Sequence, residues 1–177
     1  PFPGGVEFVE IANLTPDSLP LFDPEHPENS WVLSGADFTF PPGARLPGHG
    51  IAVITAGDPT LFRLKWGVPE DVAIYGPYSG NLDDGGERID LKRPDSPDFV
   101  TNEVGTITPF VPYITVDTVR YNNRAPWPVE TAGLGPSLER RVSAGYGDDP
   151  VNWRAALTGP SPGLDNAVNR APRPDAG

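Results

Sequence analysis

The chain has 177 residues, 37% of them hydrophobic, with 24 Pro, 20 Gly and a formal net charge of −11. That length suits one domain, and the acidity lacks the basic footprint of a nucleic-acid binder and is repelled by anionic membranes. No run approaches the roughly 20 apolar residues of a membrane-spanning helix, and the absence of Cys excludes disulfides and thiolate metal sites.

Pro and Gly at this density border on a disordered composition. Aromatic residues argue for a folded chain instead, because eight Phe, five Tyr and four Trp are spread along the length. The chain carries no Met, even at position 1, which reads as a processed or excised piece of a longer polypeptide.

Period-2 alternation recurs along the chain, and helical periodicity hardly does. The first predicted strand is Val6–Ala12, within "VEFVEIAN". Further strands are predicted at Trp31–Leu33, Asp37–Phe40, Gly50–Thr55, Val72–Tyr75, Arg88–Leu91, Thr115–Tyr121 and Ser137–Arg141. Pro/Gly turns separate them, among them "FPPG" at Phe40 to Gly43 and "LPGHG" at Leu46 to Gly50. Two helical turns are predicted. Asp58 to Gly67 opens with Asp-Pro, spaces Leu61 and Leu64 helically and ends on Gly. Asp149 to Leu157 has the same opening, with Asp149 as N-cap. Lys92 to Tyr113 reads as a long loop, and the residues after Asn166 as a linker or tail.

Together these segments resemble the lamin tail domain, an immunoglobulin-like β-sandwich, in its bacterial secreted form. The match runs through "EFVEIAN" (Glu7 to Asn13), Leu19 to Thr55, "LFRLKWGVP", "YGPYSGNLDDGGERIDL", Val116 to Pro128, "GLGPSLERR" and "DPVNWRAALTGPSPG". The resemblance implies an all-β sandwich over residues 1–166, followed by a tail at 167–177. It also implies a non-catalytic structural or interaction module of an extracellular or cell-surface bacterial protein. Partners would then be proteins, either copies of itself or neighbouring domains, with no cofactor. In the family pattern a further strand precedes the first one seen here, where only "PFPGG" precedes Val6. Val6, Phe8, Glu10 and Ala12 are therefore expected to form an edge that takes a strand from elsewhere, in the manner of β-augmentation. Repeated head to tail, such an edge builds a filament or lattice.

Chemistry-bearing residues are weighed against structural roles. Glu7 and Glu10 are three apart, so a strand places them on opposite faces. A glycosidase pair must instead flank one bond, roughly 5 to 9.5 Å apart. The expected role is that one of the two accepts hydrogen bonds from loop amides near the sandwich rim. Asp83, Asp84 and Glu87 share one turn and offer oxygens to Ca²⁺, which takes roughly 6 to 8; the competing reading is a solvated Asx turn. His26 and His49 have no metal-ligand spacing around them. Trp31 and Trp153 read as packing residues, whereas Trp127, between Pro126 and Pro128, and Tyr78, in "GPYSG", are the better candidates among the aromatics for a glycan. A Ca²⁺- or carbohydrate-binding adhesion module is the competing function.

Overall fold

The computed structural model describes residues 6–101, 103–132, 135–157 and 159–166. The proposed tail at 167–177 and the leading residues 1–5 lie outside the described residues.

In chain order the elements are β1 (Phe8–Ala12), β2 (Leu19–Pro20), β3 (Val32–Ser34), β4 (Phe38–Thr39), β5 (Arg45–Leu46), β6 (Ile51–Thr55), α1 (Pro59–Trp66), β7 (Ala73–Tyr75), β8 (Arg88–Pro94), β9 (Asp98–Thr101), β10 (Ile107–Phe110), β11 (Tyr113–Arg120), β12 (Leu138–Arg140) and β13 (Trp153–Ala155). Strand is 34% of the described residues and helix 9%, so the fold is all-β in class.

One sheet has the order β1-β6-β7 and another the order β11-β8-β3-β4. They share one core. Ile11, Ala52 and Ile54 meet it from the first sheet, Leu33 and Ile89 from the second, with Trp31, Phe40, Leu21 and Leu46 filling the space around them. The other face of the first sheet is covered as well. There Val53 joins Phe62, Val68 and Val72 in a second cluster, against which Phe8 and Ile74 pack. Strand β6 is therefore apolar on both faces, which explains the continuous run "IAVI".

Helix α1 carries the chain from β6 to β7, which run parallel. A parallel pair cannot be joined by a tight turn, so a crossover is required. The caps match the sequence expectation. Asp58 accepts from the Leu61 N–H, Pro59 takes the first turn, and Gly67 ends the helix in the left-handed region at φ 63°. The buried face does not match. Phe62 is the buried residue, and its ring meets Phe8 edge-on at 5.5 Å, while Leu61 and Leu64 face solvent.

Two further expectations are corrected. The segment Lys92 to Tyr113 is not a loop. β8 runs on to Pro94, β11 starts at Tyr113, and β9 and β10 pair between them as a hairpin. Residues 149–157 form one 3₁₀ turn, Pro150–Asn152, capped by Asp149, and then strand β13 paired with β12. Asp149 caps as expected, but the segment has no core-facing stripe with which to extend a helix.

Candidate interaction edge

Strand β1 has a single hydrogen-bonded neighbour among the described residues, the antiparallel β6. The parity of that pairing follows from its ends. Ala56 N–H donates to Glu7 C=O, and Asn13 N–H donates to Gly50 C=O, both at 2.9 Å. Residues 7, 9, 11 and 13 thus turn their backbone groups toward β6. By the alternation of an antiparallel ladder, Phe8, Glu10 and Ala12 turn theirs outward. Three of the four residues singled out from the sequence carry this open edge. The fourth, Val6, precedes the strand, and its side chain packs with the α1 cluster.

The side chains of β1 also divide by face. Val9 and Ile11 enter the shared core, while Phe8 enters the α1 layer. Each glutamate follows its own face and reaches a loop. Glu7 Oε2 accepts from the Tyr78 hydroxyl and from the Leu82 N–H, both at 3.2 Å. Glu10 Oε1 accepts from the Gly163 N–H at 2.6 Å. Both carboxylates therefore tether loops, where the sequence led to that expectation for one, and they do so on opposite faces.

Burial pushes the Glu10 carboxyl up to about 7; the Gly163 N–H opposes this shift, and nearby Glu139 adds to it. Burial also raises Tyr78, as do the charge and hydrogen bond of Glu7. Tyr121 is raised by burial and by Glu87, which accepts its hydroxyl at 2.8 Å. Asp90, buried on β8, is moved the other way. Its burial favours the neutral form, but bonds from Thr118 and Arg88 and the charges of Arg88 and Lys92 outweigh it. On β12, Glu139 is buried and pairs at 3.0 Å with Arg154, its cross-strand neighbour on β13.

Neither candidate ligand aromatic presents its ring to solvent. Tyr78 is 4% exposed and Trp127 is 8% exposed. Tyr78 fills the shared core, where its hydroxyl meets Glu7. Trp127 packs on Trp153 with centroids 6.2 Å apart. The open depression beside it, about 430 Å³, is lined by Pro126, Pro128, Arg141 and Trp153 rather than by the Trp127 ring. Pro and Gly led to an expectation of exposed loops, yet these loops fold back as caps on the core. A half-buried Glu7 requires donors, and that was the available sign that a residue such as Tyr78 turns inward.

Asp83 and Glu87 form a hydrogen-bonded turn. Asp83 accepts from the Gly85 N–H at 2.6 Å, and Glu87 accepts from the Asp83 N–H at 2.9 Å. Among the described residues, no group of three or more His, Asp or Glu side chains is placed to hold a metal ion. His26 lies 3.6 Å from Glu28 in an exposed turn, and His49 occupies a left-handed turn position at φ 54°.

Comparison of the chain with protein-family models, with curated proteins and with solved structures found no match.

Proposed function

We propose that this chain is a non-catalytic interaction module, an immunoglobulin-like β-sandwich of the lamin-tail kind from an exported bacterial protein, and that β1 is its docking edge. The observation that carries the reading is the open side of β1. Phe8, Glu10 and Ala12 direct N–H and C=O groups away from β6, and no described residue pairs with them. An edge strand in this state is a template for another strand. Natural edges are blunted by charges that point outward, but the β1 glutamates are held inward by Tyr78, Leu82 and Gly163. Their tethering leaves the backbone edge clear. Partners are copies of the chain or neighbouring domains of its parent.

The test uses Ala12→Pro. Ala12 is exposed and its N–H points outward, so proline removes a donor from the open edge and leaves the β6 ladder intact. Sedimentation velocity on concentrated chain should show the assemblies of the wild type reduced in the variant at an unchanged melting temperature. Identical assembly in both proteins would sink the reading.

A further inference from the structure

The last described residues close over β1. Leu164 N–H donates to Ser161 C=O at 3.2 Å, making a turn whose Pro162 and Gly163 are buried. Gly163 is seated on the α1 layer, where an added Cβ would stand 2.8 Å from Val68 and 3.3 Å from Val72. From there its N–H reaches Glu10, which receives no other hydrogen bond among the described residues. An ionised carboxylate offers about four acceptor sites, and burying one with a single donor is costly. The surroundings add no compensating cation. From β12, Glu139 faces Glu10, and Arg154 of β13 is spent on Glu139 at 3.0 Å and on the Asn166 C=O at 3.1 Å. From β6, buried Val53 stands opposite. In α1, Arg63 turns to the Val68, Pro69 and Val72 carbonyls, and Lys65 lies over the Trp66 ring. Glu70 and Asp71, on the loop before β7, and Asp165, just after the turn, are exposed acids.

We infer that this turn is a proton-controlled strap. With Glu10 protonated it lies closed on β1; when Glu10 ionises it lifts, and the carboxylate reaches water beside the open edge. The other covers do not yield in its place. Val53 belongs to the central strand β6, and α1 is capped at both ends. The turn belongs to no sheet, and beyond it Asn166 Nδ2 donates to the Arg140 C=O at 3.4 Å. Burial raises the Glu10 pKa to about 7 in the closed arrangement, against 4.5 for the free side chain. The closed strap is therefore fully favoured below pH 4.5, and the preference is lost as pH rises through about 7. The consequence for assembly rests on the reading of β1 as a docking edge. A charged side chain blunts an edge strand, so docking at β1 weakens as pH rises, with protonated Glu10 as the competent form.

Amide exchange at Gly163, followed by NMR in the dilute chain from about pH 4.5 to 8, tests the strap without reference to assembly. After correction for intrinsic exchange, its protection should fall about tenfold per pH unit and level off above about pH 7, about 300-fold in all. This exchange should not accelerate in dilute urea, the mark of a local opening, whereas that of Val53 in β6 should. Glu10→Gln should remove the pH dependence at Gly163. Sedimentation velocity over the same range should show wild-type assemblies shrinking as pH rises and those of Glu10→Gln indifferent to pH. Protection at Gly163 that is flat with pH, or that keeps its slope in Glu10→Gln, would overturn the strap and leave the β1 edge standing. So would exchange at Gly163 that accelerates with urea in step with Val53. Assemblies that ignore pH while Gly163 responds would overturn the gating of β1. Assembly of Ala12→Pro identical to that of the wild type would sink the edge and its gating together, and Gly163 alone would then decide the strap.

Discussion

Glu10→Gln isolates a carboxylate on β1 whose ionisation the fold opposes. Its pKa moves from 4.5 to about 7, chiefly by burial. A folded-state pKa above the unfolded value means that the folded chain holds the proton more tightly. The resulting stability is fully present below pH 4.5 and is lost as pH rises through about 7. At about 1.4 kcal/mol per pH unit, this comes to about 3 kcal/mol at most. Gln keeps an oxygen for the Gly163 N–H and has no proton to lose. Urea denaturation of wild type and variant from pH 4.5 to 8.5, followed by Trp fluorescence, checks this. The two should be close in stability at the acid end, and the variant should gain steadily, by up to about 3 kcal/mol, at the alkaline end. A difference that stays constant across this range would refute the assignment. So would a wild type that gains on the variant as pH rises.

The remaining predictions concern the packing that holds the edge in place. Glu7→Ala removes the acceptor for the Tyr78 hydroxyl and the Leu82 N–H, and chemical denaturation should show a loss of about 1 to 3 kcal/mol. Phe62→Ala opens a cavity between α1 and the first sheet and should lower stability by about 3 to 5 kcal/mol, whereas Leu64→Ala on the exposed face should fall within about 0.5 kcal/mol of wild type. Gly76→Ala places a Cβ against the Thr55 carbonyl at a φ of 139°, so its melting temperature should fall by several degrees, about what 1 to 3 kcal/mol of strain produces. Asp90 has a lowered pKa, so its contribution holds above 3.8 and is lost as pH falls further; Asp90→Asn should flatten the acid limb of the stability profile.

How much was legible in the sequence depended on how local the cause was. The caps of α1 are written in three residues, Asp58, Pro59 and Gly67, and they were read correctly. Strands β1, β6, β8 and β11 carry alternation or apolar runs, and they too were found. The hairpin β9–β10 was missed because its register puts apolar and polar residues on both faces, Phe99 and Ile107 beside Thr101 on one and Val100 and Phe110 beside Asp98 and Thr108 on the other, and no core imposes a polar side. The face of α1 was misread for a similar reason. Leu61 and Leu64 have helical spacing, but Phe62 is the residue that reaches Phe8 and Val53, and only the tertiary partner decides between them. Tyr78, in "GPYSG", reads as a candidate ligand aromatic, although its destination is set by Glu7, 71 residues earlier. The outward parity of Phe8, Glu10 and Ala12 could not be derived from β1 alone, because it depends on the register with β6.

That parity is the central claim, and amide hydrogen exchange resolved by residue in the dilute chain tests it most directly. Val9 and Ile11, bonded to β6, should exchange slowly, and Phe8, Glu10 and Ala12 should exchange much faster, becoming protected only on assembly. Equally slow exchange at all five positions in the dilute chain would show that the outer side of β1 is already paired, and it would contradict the account.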